Sequence, residues 1–257
     1  MTTSKYRYLS YNHDNFDDIG LELFKLTLSM TYADKTNRIL VLNNEKYTNI
    51  IDNFVKCKYE NLKLEFVEQP NFNFNIDYND TNLFINFNNF NNFKDFLSFI
   101  TPDLISNKNR YLISLLITNN SNYINNIYNK INKFMINFSD YKLANYVCMN
   151  IKKETYDNDY YERAYYRHFN NKKLIVRTDD IEWAKINVNF IDKSLIIFID
   201  ANENNLFTDF ILLSFFNNYI IEYDNFSWWI AYMSNIEKKV IVPFNNNLCL
   251  SDWIKES

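Results

Sequence analysis

The residues best suited to binding chemistry lie in the second half of the chain, where polar side chains follow short apolar runs. Lys152 and Lys153 come directly after YVCMNI, Asp179 and Asp180 come after LIVRT, and Ser227 lies in FSWW after YIIEY. Adjacent lysines can neutralise an anion such as a phosphate, and a serine at a helix start adds a hydroxyl to the free backbone N–H groups there. These residue types suit anion binding, although two solvated lysines on a loop would give the same pattern.

The composition limits the class of protein. The 257 residues carry a net charge of −4, which counts against general nucleic-acid binding. No apolar run approaches the roughly 20 residues of a membrane helix, and the N-terminus lacks the apolar core of a signal peptide. Three scattered cysteines indicate free thiols in a reducing compartment. We therefore expect a cytoplasmic protein without a membrane span, or a virion protein if the source is a virus.

Gly20 is the one glycine of the chain, whereas an average chain contains about 7% glycine. The abundance of Asn, Ile, Lys, Phe and Tyr indicates an AT-rich genome. Asparagine can replace glycine in many turns, but not where the missing side chain lets a ligand approach the backbone. Gly20 therefore indicates a backbone requirement, either close approach of a ligand or the turn that starts a helix.

Strands and helices alternate along the chain, which predicts an α/β fold with mostly parallel sheets. In the first half, strands at 6–11 and 38–42 flank a helix at 21–35. Parallel sheets bind ligands at the carboxyl ends of their strands, and the polar residues above fall at such ends. In the second half we expect strands at 146–151, 174–178, 195–200, 219–223 and 239–243, and helices at 160–169, 179–187, 206–216 and 226–234.

Four stretches resemble motifs of one enzyme family, in the same order along the chain. YIIEYDNFSWWIAYMSNIEKKVIVP resembles the pattern I-I-A-N-S-S-F-S-W-W-G-A-W-L followed by V-I-A-P, and RTDDIEW resembles F-S-D-D-I-E-W. YYERA stands where the family has Y-Y-x-x-A, and DIGLELF resembles G-L-G-N-Q-L-F. The family is that of the α-1,2-fucosyltransferases, glycosyltransferase family 11, and the resemblance extends from about residue 6 to residue 244.

The resemblance implies two Rossmann-like domains in a GT-B-type glycosyltransferase architecture, at 1–142 on the acceptor side and 143–257 on the donor side, with a cleft between them. It implies GDP-fucose or another nucleotide sugar as donor, a glycan as acceptor, and an inverting mechanism without a metal or other cofactor. It names no catalytic residue. The donor-binding residues that it implies are Gly20, Glu22, Asn150, Lys152, Lys153, Asp179, Asp180, Phe226 and Ser227.

The chain departs from the family where the donor diphosphate is expected to bind. The family signature H-x-R-R-G-D is replaced by Asn150-Ile151-Lys152-Lys153-Glu154-Thr155. Lysine keeps the charge of arginine but loses its planar, bidentate fork. Glu154 adds a carboxylate where the family has glycine, which is electrostatically unfavourable for an anion. The Asn and Ser that precede F-S-W-W in the family are Tyr223 and Asp224 in this chain.

Two hypotheses follow. The chain is a divergent fucosyltransferase-like enzyme, or it is a catalytically dead descendant that serves as a binding or structural protein, for instance as a homo-oligomer or in a viral particle. Structural interpretations of single residues also stay open, because Thr178, Asp179 or Asp180 could serve only to cap a helix. We expect Trp228 and Trp229 to pack their helix against the sheet, since large aromatic side chains supply much buried area.

Overall fold

The computed structural model describes residues 8–11, 19–35, 37–43, 64–67, 82–85, 142–201, 206–234, 238–245 and 249–257. The chain divides into two compact units, at 1–120 and 121–257. The boundary predicted at 142/143 stays a prediction, because the residues from 86 to 141 lie outside the described part of the chain. The sequence of 94–138 indicates helical pieces broken around Pro102, and this segment lies outside the described part as well.

In the first unit, four parallel strands form a sheet with the order β3-β2-β1-β4. Helix α1 packs on β1 and β2, and its apolar residues Leu23, Leu26 and Met30 are buried. Their helical spacing is the pattern from which the helix was predicted. The elements are β1 (Tyr8–Tyr11), α1 (Ile19–Lys35), β2 (Ile39–Asn43), β3 (Leu64–Val67) and β4 (Asn82–Ile85).

Gly20 lies inside α1, as its second residue, and not in a turn before the helix. Its φ angle is not positive, so the left-handed conformation that favours glycine is not what the position requires. Gly20 is buried. The position is therefore explained by the small size of glycine, which leaves no side chain at a buried site in the first turn of α1.

The second unit is a six-stranded parallel sheet with the order β10-β9-β8-β5-β6-β7. Its strands are β5 (Tyr146–Ile151), β6 (Lys173–Thr178), β7 (Ile196–Asp200), β8 (Asn218–Ile220), β9 (Lys239–Pro243) and β10 (Ile254–Glu256). Its helices are α2 (Asn158–His168), α3 (Ile181–Asn187), α4 (Leu206–Ser214) and α5 (Asn225–Met233). Short 3-10 turns cover Lys142–Asn145 and Lys193–Leu195.

The four inner strands β5, β6, β8 and β9 are buried along most of their length, as strands covered on both faces are, and this explains their apolar runs. On one face, Val147 and Met149 of β5 pack with Tyr161 and Tyr165 of α2 and Ala184 of α3. Successive strand residues point to opposite faces, so the intervening residues of β5 and β6 point towards α4 and α5. Residues 150 and 177 belong to this second face.

Helix α5 is buried over eight consecutive residues, from Asn225 to Tyr232. Trp228 stacks on Tyr232 with ring centroids 4.9 Å apart, and it lies edge-on to Trp229 at 5.2 Å. Trp253 approaches Trp228 to 5.6 Å. The paired tryptophans are thus buried in the core around α5, and their packing against the sheet stays a prediction.

Strand β10 was not predicted, because IKE lacks an apolar pattern. Its Glu256 is buried, and its two carboxylate oxygens lie 2.6 Å from Arg167 Nη1 and 3.0 Å from His168 Nε2 at the end of α2. His168 is therefore mostly buried and lies beside a carboxylate. This cluster attaches β10 to the end of α2, while the pairing of β10 with β9 joins it to the sheet.

We predict that Trp229→Ala destabilises the second unit by about 3–5 kcal/mol, because it removes a large buried aromatic side chain and leaves a cavity. The matched control is Ile186→Ala, at a position that is 70% exposed, where we expect a change within about 0.5 kcal/mol. Urea denaturation followed by circular dichroism measures both. Equal midpoints for the two variants would contradict the packing role of Trp229.

Candidate functional site

The strand order places a topological switch point between β5 and β8. From β5 the chain proceeds through β6 to β7 on one side, and then crosses to β8, β9 and β10 on the other. Crossover connections therefore diverge on the two sides of this strand pair, and they leave a crevice at its carboxyl end. Ligands of open α/β sheets bind in such crevices. The residues that surround it here are those that follow β5, β6 and β8.

A series of side-chain hydrogen bonds crosses the switch point, next to the carboxyl ends of the strands. Asn150, which is 3% exposed, accepts a hydrogen bond at Oδ1 from Arg177 Nη1 at 2.9 Å. Its Nδ2 donates to Asp224 Oδ1 at 3.3 Å. Asp224 Oδ1 also accepts from the backbone N–H of Ser227 at 2.8 Å. Three strand ends and the start of α5 are thereby joined by side chains.

Arg177 supplies the charge of this network and is itself almost fully buried. Its Nε donates to Asp209 Oδ2 on α4 at 3.0 Å, and the Asp209 side chain has no exposed surface. The guanidinium also lies over the ring of Phe226, 4.4 Å from the centroid. A buried charge is tolerated only when it is paired and hydrogen-bonded, and the described contacts meet that condition.

Aspartates cap the three helices that begin at the carboxyl edge after β5, β6 and β8. The side chains of Asp157, Asp180 and Asp224 accept from the backbone N–H of the third residue on, at 3.1, 2.9 and 2.8 Å. Helix N-termini commonly bind anionic ligands, but here internal carboxylates already occupy one N–H group of each. The sequence left open whether Asp180 binds a ligand or caps α3, and the structure shows the cap.

Lys152, Lys153 and Glu154 follow β5 as exposed residues of a turn, which is closed by a bond from Thr155 N to Lys152 O at 3.2 Å. Lys153 Nζ lies 3.7 Å from Asp180 Oδ2. Both of these side chains are about half exposed, and an ion pair of this kind contributes little to stability. Lys153 is therefore placed beside Asp180 without a strong ion pair, and Lys152 precedes it on the same exposed turn.

Glu222 is a half-buried carboxylate just beyond β8. It accepts hydrogen bonds from Thr155 Oγ1 at 2.8 Å and from Asp157 N at 3.4 Å. Burial raises the pKa of Glu222 from 4.5 to about 7, the nearby Asp224 adds to the rise, and the bonds from Thr155 and Asp157 oppose it. Its charge state therefore changes near neutral pH.

The other residues predicted to bind the donor have varied surroundings. Ser227 has no exposed surface, and its Oγ is buried without a hydrogen-bond partner in the part of the chain that the structure describes. Phe226 is buried under Arg177, whereas Asp179 is exposed at the end of β6. Glu22 belongs to the first unit with Gly20, and it is buried in α1 beside Lys25, 2.9 Å away. Donor binding by these residues stays a prediction.

The structure joins Asn150 to the start of Ser227's helix, and it joins Lys153 to Asp180. Sequence reasoning missed four residues of this region: Arg177, Asp209, Glu222 and Asp224. One signal was available, since an arginine near the end of the apolar run LIVRT requires a buried partner. The carboxylate that pairs with it lies 32 residues further on, a separation that no local pattern indicates.

No group of three or more His, Cys, Asp or Glu side chains that could hold a metal ion occurs among the described residues. Within the same residues, no helix combines the length and apolar character that a membrane crossing requires. Cys148 and Cys249 are both free thiols.

Two solved structures are similar to this chain over most of their length. Both are of the fucosyltransferase NodZ from Bradyrhizobium, one as its selenomethionine form. For the selenomethionine form, the TM-score is 0.51 at 10% sequence identity, and the alignment covers 91% of this chain and 97% of the NodZ chain. For the other structure, the TM-score is 0.52 at 11% sequence identity, and the alignment covers 90% of this chain and 94% of the NodZ chain. The chain therefore has a fold of the GT-B type, which is the fold of these two structures.

The family model described as Glycosyl transferase family 11 matches residues 21–255. The chain therefore belongs to glycosyl transferase family 11, as its four motifs predicted. No curated protein sequence matches the chain at a significant level. The family covers both units, so a nucleotide sugar and a glycan acceptor are the partners that membership implies.

We predict that Arg177→Met destabilises the protein by about 3–5 kcal/mol, because it leaves the buried carboxylate of Asp209 without its cation. The double variant Arg177→Met/Asp209→Leu is expected to recover most of that loss, since an apolar pair of similar volume carries no buried charge. Urea denaturation gives both values. A single variant within about 1 kcal/mol of the wild type would show that the network does not hold the strand ends.

We also predict a pH-dependent effect of Glu222→Gln. The pKa of Glu222 is raised in the folded protein, from 4.5 to about 7. Its contribution to stability is therefore fully present below 4.5 and is lost as the pH rises through about 7. Glutamine does not titrate, so the melting temperature of the variant should rise relative to that of the wild type as the pH increases from about 5 to about 8. A difference independent of pH would contradict the assignment.

Proposed function

We propose that this chain transfers fucose, or a related sugar, from a nucleotide sugar such as GDP-fucose to a hydroxyl group of a glycan. Membership of glycosyl transferase family 11 supports the reaction class. The observation that carries the choice of donor site is the exposed Lys152-Lys153 pair, which lies directly after β5 at the switch point of the sheet. Ligands of parallel sheets bind at this edge, and a diphosphate requires cations there.

The reaction follows an inverting course without a metal ion. The acceptor hydroxyl oxygen forms a bond to the anomeric carbon, and the bond from that carbon to the diphosphate oxygen breaks on the opposite face. The bonding electrons leave with the diphosphate, and the hydroxyl proton is lost to a base that we do not assign. Lys152 and Lys153 stabilise the charge that develops on the leaving group, and stabilisation of that kind supplies much of the rate in such sites.

The electrostatic surroundings make this donor site weak. The carboxylates of Glu154, Asp180 and Glu222 lie on the segments that surround the two lysines, and lysine lacks the bidentate fork of arginine. Charge-assisted hydrogen bonds contribute roughly 1.5–3 kcal/mol each. The loss of one bidentate contact therefore weakens nucleotide binding by roughly tenfold to a hundredfold. We expect slow turnover for the same reason, because the clamp also acts on the transition state.

Calorimetric titration with GDP tests the proposal. Lys152→Ala/Lys153→Ala should bind GDP at least about tenfold more weakly than the wild type. The triple variant Lys152→Arg/Lys153→Arg/Glu154→Gly should bind it more tightly, by roughly tenfold to a hundredfold. The control is Lys185→Ala, which removes an exposed lysine of α3 that pairs with Glu182 and should leave binding unchanged.

Two results would count against the proposal. If the alanine variant binds GDP as well as the wild type and the arginine variant binds no better, the donor site lies elsewhere or has been lost. The non-enzymatic hypothesis would then be preferred. Transfer from GDP-fucose should survive a chelator, and loss of activity that Mn²⁺ or Mg²⁺ restores would contradict the metal-independent mechanism.

A further inference from the structure

Residues 152–157 connect β5 to α2 and carry the two lysines of the proposed donor site. The first four side chains of this segment are exposed, so they lack the apolar contacts that would fix their position. Towards α3, the segment is held by Lys153, 3.7 Å from Asp180, and by Tyr156, whose ring centroid lies 5.3 Å from that of Trp183. Tyr156 also stacks on Tyr161 of α2, with ring centroids 5.3 Å apart, so these contacts restrain the segment towards α2 and α3.

Glu222 restrains the other side. Its Oε2 accepts from Thr155 Oγ1 at 2.8 Å, and its Oε1 accepts from the backbone N–H of Asp157 at 3.4 Å. The partners are 67 and 65 residues away in the sequence, yet they meet because β5 and β8 are neighbours at the switch point. The two bonds therefore span the crevice in which ligands of such sheets bind.

We propose that Glu222 is a positioning residue of the donor site: its carboxylate fastens segment 152–157 to the end of β8 and thereby places Lys152 and Lys153 beside the switch point. The identity of the ligand in this inference rests on the proposed function, whereas the attachment of the segment by Glu222 is independent of that function. Holding a charged loop in its bound geometry before the ligand arrives lowers the cost of binding. The negative charge of Glu222 acts in the opposite direction on an anionic donor, so an experiment must separate the two effects.

The comparison of Glu222→Gln with Glu222→Ala separates them, because both variants are neutral and only glutamine keeps hydrogen-bonding groups at the end of its side chain. The amide oxygen of glutamine can accept from the N–H of Asp157, and its NH₂ can donate to Thr155 Oγ1. Alanine can make neither bond. Amide hydrogen exchange at Thr155 and Asp157, measured without ligand, should be roughly fivefold to thirtyfold faster in Glu222→Ala than in Glu222→Gln.

GDP should bind to Glu222→Ala more weakly than to Glu222→Gln, by a factor of roughly three to ten. Thr155→Val removes one of the two bonds from an exposed position and should give an intermediate exchange rate, so the test does not depend on a core variant. Glu182→Ala, which removes an exposed carboxylate of α3, should change neither measurement.

Equal exchange rates at Asp157 in the Gln and Ala variants would overturn the proposal. So would faster exchange in the Ala variant combined with unchanged GDP affinity, since the segment would then not position the lysines. If the wild type binds no GDP at all, the proposed function fails, and the exchange rates still decide whether Glu222 holds the segment.

Discussion

The guanidinium of Arg177 is a buried positive charge, and the arrangement of the second unit provides the partners that this charge requires. A charge removed from water needs an opposite charge and good hydrogen bonds, and Arg177 obtains them from Asp209 on α4 and Asn150 on β5. Asn150 then has its amide group free to bind Asp224, which caps α5. One buried charge thereby fixes the relative positions of β5, β6, α4 and the start of α5. These hydrogen bonds hold together the residues that lie next to the edge where we propose that a nucleotide sugar binds.

Negative and positive side chains both lie at the carboxyl edge of this sheet, and they have opposite effects on the binding of an anion. Capping aspartates occupy N–H groups at three helix N-termini, and they add negative charge where the dipoles of the helices would favour an anion. Lys152 and Lys153 supply the positive charge, and Glu222 holds the loop that carries them. Within family 11, the chain therefore combines an intact sheet with a weakened cation pair. We propose that this balance of charges weakens donor binding.

Much of the fold could be predicted from the sequence because the strands are continuous apolar runs. β5 at Tyr146–Ile151 and β9 at Lys239–Pro243 agree with their predicted bounds. β8 is shorter than predicted and ends at Ile220, before the residues that lead to the cap of α5. β10 was missed because Glu256 is held by ion pairs and not by apolar packing. In the site, exposed lysines could be recognised by type, whereas Glu222 depends on contacts between segments that are distant in sequence.

The central claim is that a nucleotide diphosphate binds where β5 and β8 end. An NMR titration of the ¹⁵N-labelled protein with GDP tests it most directly, because amide chemical shifts report the location of the ligand residue by residue. We expect the largest shifts within residues 150–157 and 222–227, and we expect the amides of β10 at Ile254–Glu256 to stay unchanged. Shifts confined to other parts of the chain, or no shifts at saturating GDP, would contradict it.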